Sequence, residues 1–404
     1  MNTQSKKIFV VVGIVVVLVA IGVGVYVGLQ RSQQVLSPGS GGFPVVGGSG
    51  SGKGSVVGGE GSIAEYREDD EGIIEATQLQ KERLSQMSEG DAMFLWASSQ
   101  SGTSTPALWY LNQDGEVVRV LAQGEEQVVT TSSFGVPSYL VQNKDGSFVA
   151  VAFEGGTWAL FDTQEKAWEE LPQNIVSVAF SPSGTQLAFL EKGDKKTSLY
   201  TFTLGTSKKA LIKIATLAVE DVFLQWPIAE RIYLTPRSLS GIRSTVWYFD
   251  LNKKTLNTSF SGIGIDLLWL SDGAHGLFFS YPTPQTIDLS FVGENGEILG
   301  SLPLLTVSSK CGISLSATST FFCAIPYQYT SSFSVVFPDD FLMRKVFTKD
   351  RIYQGRFDGS LVQIVPVLNI TSLAIDAASL VEMNGHLFFI NRLDKKAYRL
   401  QLSE

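Results

Sequence analysis

A turn pair followed by a short apolar run recurs along most of this chain, and it restricts the fold more than any other feature. The instances are Asp145-Gly146 before Phe148–Phe153, Ser183-Gly184 before Leu187–Leu190, Asp272-Gly273 before Leu277–Phe279 and Asn384-Gly385 before Leu387–Ile390. Such pairs reverse the chain because glycine, and less readily asparagine and aspartate, tolerates positive φ. From about Asp91 onward, runs rich in Val, Ile, Phe, Tyr and Trp alternate with turn residues, and no helical period persists. Successive turns are about 38, 89 and 112 residues apart, which fits multiples of a unit of about 40–50 residues with one insertion. Four-stranded propeller blades have that period.

Divided this way, the chain yields seven units, at about 91–132, 135–172, 174–216, 219–262, 264–304 and 308–368, with the last from Ala374. The expected fold is all-β, a seven-bladed β-propeller with six or eight blades as alternatives. The last unit supplies three strands, Ala378–Glu382, Leu387–Ile390 and Ala397–Leu402. Arg83–Met87, just before the first unit, is the segment that would complete it. A ring joined through both chain ends leaves no open sheet edge.

The clearest unit reads Val176-Ser-Val-Ala-Phe-Ser-Pro-Ser-Gly184, then Leu187-Ala-Phe-Leu190, then Ser198-Leu-Tyr200. It resembles the TolB-like propeller repeat, with its Phe-Ser-Pro-Asp-Gly turn, Ala-Phe strand and later Leu-Tyr. The Trp-Asp pair of the eukaryotic WD repeat is missing. The sixth unit resembles an element of membrane-anchored bacterial propellers, through Lys310-Cys311, Cys323-Ala324-Ile325-Pro326, Phe337-Pro-Asp-Asp340 and Tyr353-Gln354-Gly355. Here about ten residues are inserted between Asp340 and Tyr353. The resemblance implies architecture and topology, and no activity.

A second constraint stands at the N-terminus. Residues 8–29 carry no charge and no proline, and at helical rise they span roughly 33 Å, enough for a bilayer core. Lys6 and Lys7 precede the run and Arg31 follows it. The positive-inside bias puts residues 1–7 in the cytoplasm and the remainder outside, as a single-pass protein. A cleaved signal would have a shorter apolar region and a small-x-small cleavage site. Ala20, Gly24 and Gly28 recur every four residues, a spacing that lets membrane helices dimerise. Residues 30–62 are a Gly/Ser-rich linker, 63–79 an acidic stalk that could be helical, and 80–404 the propeller. Within the linker, Gly47–Lys53 nearly matches a phosphate loop, but Gly54 stands where Ser or Thr is required and no strand or helix flanks it.

Beyond residue 31 the chain has 28 Lys and Arg against 39 Asp and Glu. That balance repels phosphate backbones and argues against a nucleic-acid partner. An extracytoplasmic compartment permits disulfides. A turn at Ser316–Thr318 would set Cys311 and Cys323 opposite one another on adjacent strands, where Cα atoms about 4.5 Å apart permit a bond. The alternative is two buried thiols.

No constellation of residues names a reaction, a cofactor or a metal. His275 and His386 each open a strand before Leu-Phe-Phe or its equivalent, a structural position, and zinc would need more ligands converging. Asp221, Asp266 and Asp376 come near the starts of innermost strands and could ring a channel mouth. Asp339 and Asp340 are expected to cap a turn. The stretch 327–350 interrupts the sixth unit with Tyr327, Tyr329, Phe333, Phe337, Phe341 and Phe347. A long loop rich in aromatic anchors is a candidate binding loop; the competing reading is a strap that packs its aromatics on the propeller's own flank. The function expected from these features is a membrane-anchored, extracytoplasmic scaffold that binds a protein or glycan partner of the cell envelope. The alternative is a propeller enzyme, a hydrolase or lyase of envelope glycans or peptides.

Overall fold

The computed structural model describes residues 83–99, 106–121, 124–130, 134–206, 210–329, 335–369 and 373–402. The anchor with Ala20, Gly24 and Gly28, the linker, the stalk and Phe333 lie outside these residues. Among the described residues no helix is long and apolar enough to cross a membrane.

The described chain forms 28 strands. The short β1 (Leu84–Gln86) comes first. Five four-stranded antiparallel sheets follow in chain order. They are β2 (Phe94–Ser98), β3 (Ala107–Leu111), β4 (Val117–Val120) and β5 (Glu126–Thr130); then β6 (Pro137–Gln142), β7 (Phe148–Phe153), β8 (Trp158–Asp162) and β9 (Ala167–Glu170). Next come β10 (Ile175–Phe180), β11 (Gln186–Lys192), β12 (Thr197–Thr203) and β13 (Ile212–Leu217); then β14 (Val222–Ile228), β15 (Arg231–Pro236), β16 (Arg243–Asp250) and β17 (Thr255–Ile263). The fifth comprises β18 (Asp266–Trp269), β19 (His275–Ser280), β20 (Asp288–Gly293) and β21 (Ile298–Leu302). The remaining strands are β22 (Cys311–Ser314), β23 (Thr320–Tyr329), β24 (Thr348–Phe357), β25 (Val362–Leu368), β26 (Ala377–Met383), β27 (His386–Asn391) and β28 (Lys396–Gln401). With β1 they make one eight-stranded sheet, ordered β1-β28-β27-β26-β22-β23-β24-β25.

Innermost strands touch in succession, β2 to β6, β6 to β10, β10 to β14, and β22 to β26, and β26 returns to β2. The arrangement is a β-propeller. Sequence dictates which strand sits where. A sheet wedged between two neighbours buries both faces of its middle strands, so these read as unbroken apolar runs. β3 is buried throughout, and so is β7 after its first residue. Outermost strands face water, and β9 is mostly exposed. Core clusters fill the gaps between consecutive sheets. Trp96 and Trp109 stack at 6.0 Å and meet Phe161 of the next sheet edge-on at 6.1 Å. A further cluster joins Leu95 and Tyr110 to Met383, Phe388 and Ile390, closing the circle.

Third and fourth strands are offset by a recurring bulge, at Val117/Val118, Leu199/Tyr200, Val246/Trp247, Phe291/Val292 and Ile352/Tyr353. Bulges increase local twist, which the outer rim of a blade needs. The turn glycines Gly146, Gly184, Gly273 and Gly385 have φ of 69°, 73°, 69° and 76°. At Gly146 a Cβ would also lie 2.0 Å from the Ala97 carbonyl oxygen, so the position excludes any side chain.

The expected ring closure is present. β1 pairs with β28 through Leu84–Leu400, Ser85–Arg399 and Gln86–Tyr398. The Met87 N–H extends the ladder to the Ala397 carbonyl at 2.7 Å. The Cys311–Cys323 disulfide is also formed, between facing residues of β22 and β23 with Cα atoms 4.1 Å apart.

One junction departs from a simple stack of separate sheets. β22 and β26 pair in parallel at Ile313–Val381 and Ser314–Glu382, fusing the last two groups of strands. Gly312 makes the approach possible, since a Cβ there would lie 1.9 Å from the Leu380 carbonyl oxygen. Beside it the buried Glu382 carboxylate accepts from the hydroxyls of Ser314 and Ser316 and from the Gly385 N–H.

Candidate functional site

The innermost strands surround a cavity of about 1050 Å3, to which each of them contributes. Its hydrocarbon surface includes Leu95, Leu140, Leu224, Leu268, Ile313 and Leu380. At its wall stands Lys310, placed by a 3-10 turn at Ser308–Lys310 just before β22.

Lys310 is 1% exposed, and its ammonium lies 2.5 Å from both Asp350 Oδ2 and Asp376 Oδ1. Both carboxylates are buried. Buried charges persist when paired and fully hydrogen-bonded, and here the donors are present. The Ala377 N–H donates to Asp350 at 2.8 Å, and the Thr348 N–H to Asp376 at 3.1 Å. Thr348 Oγ1 lies 2.6 Å from Asp350 and 3.1 Å from Asp376. Arg392 Nη1, 3.5 Å from Asp376, makes the count two cations against two anions. Burial raises the Asp350 pKa, while Lys310 pulls it back down. The cluster ties the starts of β22, β24 and β26 at the fused junction.

The acids expected to ring the channel mouth do not converge on one point. Asp376 is sealed inside this cluster. Asp221 is exposed and paired with Arg237 at 2.5 Å. Asp266 accepts from the Ser308 hydroxyl and from the Leu267 N–H, and burial raises its pKa against those hydrogen bonds. Asp339 and Asp340 start a single helical turn, α1 (Asp339–Leu342). Asp339 accepts from Ser240 at 2.8 Å and Asp340 from the Val336 N–H at 2.9 Å, so both work as turn and strap anchors.

The histidines occupy equivalent places, as the first residues of β19 and β27. His275 Nδ1 lies 2.8 Å from Asp272, and its ring packs on Phe291 and Phe357. Ser319 donates to the same Asp272 carboxylate at 3.1 Å. The acid therefore stands between serine and histidine, an order in which the imidazole cannot take the serine proton. His386 Nδ1 lies 3.0 Å from the Asn384 carbonyl, and its ring stacks on Phe388. Among the described residues no group of three or more His, Cys, Asp or Glu is placed to hold a metal ion.

The aromatic stretch is only partly a loop, since β23 runs on to Tyr329 and β24 begins at Thr348. Phe337 and Phe341 are buried and stack at 5.6 Å, with the Tyr329 ring 6.4 Å from each. They join a core cluster with Val335 and Val346. Phe347 is half-buried under the Arg392 guanidinium, 5.2 Å away. Tyr327 is 37% exposed, beneath Arg351 at 5.2 Å. The Lys310 ammonium sits 5.8 Å over Phe341, which together with Phe347 lines the cavity. Sequence reasoning singled out neither Asp350 nor Thr348. The available signal was a lysine next to a cysteine at the head of a strand buried in the core.

No protein-family model and no curated protein matches the chain. Solved structures do. The β-propeller domain of Cps50 (Swd1) from Myceliophteria thermophila is 11% identical, with a TM-score of 0.50 over 79% of this chain and 100% of that one. U3-55K is 11% identical, with a TM-score of 0.53 over 80% of this chain and 99% of that one. The WD40 repeats of RRP9 are 11% identical, with a TM-score of 0.52 over 80% of this chain and 98% of that one. At these identities the likeness is one of fold, and the chain shares the β-propeller architecture of WD40-repeat domains.

Proposed function

We propose that this chain is a single-pass membrane protein that displays a seven-bladed propeller outside the cell membrane as a scaffold for a protein or ligand of the envelope. The blade number is supported by a division of the eight-stranded sheet at its parallel β22–β26 pairing, which adds two four-stranded units to the five separate sheets. Core clusters at successive gaps support the same division. The anchor reading is supported by the uncharged run of residues 8–29 and the flanking Lys6, Lys7 and Arg31.

One observation carries the scaffold reading. The acids and histidines that chemistry would draw on are each committed to an internal partner: Asp350 and Asp376 to Lys310, Asp266 to Ser308, Asp221 to Arg237, His275 to Asp272. Groups held this way specify a rigid disc. Rigid frames with several loops at each rim suit recognition.

The test uses the full chain in nanodiscs of zwitterionic lipid, immobilised and mixed with envelope extract. A protein or glycan retained unaltered by the folded disc, and lost when the disc is unfolded, is the expected result. Steady conversion of envelope glycan or peptide into smaller products would overturn the scaffold reading in favour of an enzyme. A membrane-impermeant amine reagent added to intact cells should label exposed lysines such as Lys144 and Lys253, and absence of labelling there would overturn the topology.

A further inference from the structure

The channel carries a charge pattern opposite to that of the chain. The whole sequence has 39 acidic and 31 basic side chains. Among the described residues lining the cavity, Lys144, Lys310, Arg344, Arg392 and Lys395 are basic, and Asp91 is the one acid. Asp350 and Asp376 offset Lys310 and Arg392 from behind the wall, so the excess positive charge rests on Lys144, Arg344 and Lys395 against Asp91.

These cations are not equally available. Lys310 is held by Asp350 and Asp376, which lie buried behind the wall. Lys395 is 3.7 Å from Asp91. Arg392 reaches Asp376 with one terminal nitrogen and donates to the Val346 carbonyl at 3.1 Å with the other. Lys144 and Arg344 are exposed, as is Lys395, and of these three Arg344 carries the planar fork that matches an acid group. It directly follows the helical turn α1 and Met343, and its N–H closes that turn on the Phe341 carbonyl at 3.0 Å. Its φ is 54°, in the left-handed region where glycine is the easy choice.

Arg344 and Arg392 also feel one another. Burial pushes the Arg392 pKa down, Asp376 opposes this, and the charge on Arg344 adds to the depression. Both guanidiniums line the cavity, and their planar forks match carboxylate and phosphate oxygens. Behind them the wall turns apolar, with Leu140, Leu224, Trp226, Leu268 and Leu380.

We propose that the channel binds an amphipathic anion, with a carboxylate or phosphate held between Arg344 and Arg392 and an apolar body extending into the cavity. This deepens the scaffold reading by giving the disc a ligand class. It does not depend on membrane topology, and failure of the titration below leaves the retention experiment above to be judged separately.

The test is isothermal titration of the full chain in zwitterionic nanodiscs with four probes. Hexyl phosphate and octanoate carry both the anion and the apolar body; hexanol and inorganic phosphate carry one each. At least one of the first pair is expected to bind at least about tenfold more tightly than either of the second, the margin set by charged hydrogen bonds. The stronger of the two identifies the acidic group. Arg344→Gly removes the guanidinium and suits the backbone, so it should weaken that probe about tenfold while leaving Tm unchanged or raised. Hexanol or inorganic phosphate binding as well as the stronger of the first pair, no binding by either member of that pair, or an Arg344→Gly variant that binds at wild-type strength each overturns the assignment.

Discussion

Replacing Lys310 by Met tests whether the buried ion cluster is held by its central cation. The variant keeps a stem of similar length and removes the ammonium that lies 2.5 Å from each of two carboxylates. Removing one partner from a buried pair costs about 3–5 kcal/mol, because the remaining charge is left uncompensated. The lower end applies here. Arg392, the hydroxyl and N–H of Thr348 and the N–H of Ala377 still serve the two acids. At about 2 °C per kcal/mol for a domain of this size, the loss is a fall in Tm of about 6 °C. The pH dependence carries the sharper test. Burial already raises the Asp350 pKa, and Lys310 opposes it. Without Lys310 the value rises further. A carboxylate with a raised folded pKa contributes stability below its unfolded pKa of about 3.9, and that stability is lost as pH climbs through the folded value. The deficit of Lys310→Met relative to wild type should therefore be largest at pH 7 and shrink toward pH 4. Calorimetric unfolding of both proteins across that range measures it. A deficit below about 1 kcal/mol at pH 7, or one that does not change with pH, would refute the reasoning. Combining Lys310→Met with Asp350→Asn should recover most of the loss, since Asp376 then remains paired with Arg392.

Three other outcomes are expected. Mass spectrometry of the unreduced protein should find Cys311 linked to Cys323, and the double serine variant should lose about 3 kcal/mol in chemical denaturation, the loop-closure contribution for a bridge of this span. Gly312→Ala would drive a methyl onto the Leu380 carbonyl and should sharply reduce soluble yield or Tm, whereas alanine at Gly300, where a Cβ meets nothing within 4 Å, should be close to neutral. Phe341→Ala should cost about 3–5 kcal/mol as a large core truncation, while Tyr327→Ala, at a partly exposed ring, should cost under about 1 kcal/mol; the reverse ranking in thermal unfolding would return the aromatic stretch to a free loop.

Much of the architecture was written locally. The turn pairs at Gly146, Gly184, Gly273 and Gly385 adopt the left-handed backbone that their residue types anticipate. The edge strand at Leu84–Gln86 was legible because the last unit lacked a fourth strand. Cys311 and Cys323 were legible because a turn midway between them fixes the register. Contacts between sheets were not readable in this way. Asp376 reads like any acid before a strand, and only the fold brings it against a lysine 66 positions earlier. Asp350 fell in a stretch read as a loop, yet it belongs to a ten-residue strand. The aromatics of that stretch signal burial and recognition equally well. Burial of Phe337 and Phe341 depends on the groove they meet, which no local pattern encodes.

Elsewhere in the ring, successive sheets remain separate ladders, whereas β22 and β26 belong to one. With the disulfide on one side of this weld and the β1–β28 zipper at the far edge of the same sheet, residues 311–401 should open as a single cooperative block. Amide protons there should exchange last. Any give in the ring then has to come from the seams between the other sheets, with the welded arc acting as the fixed jaw.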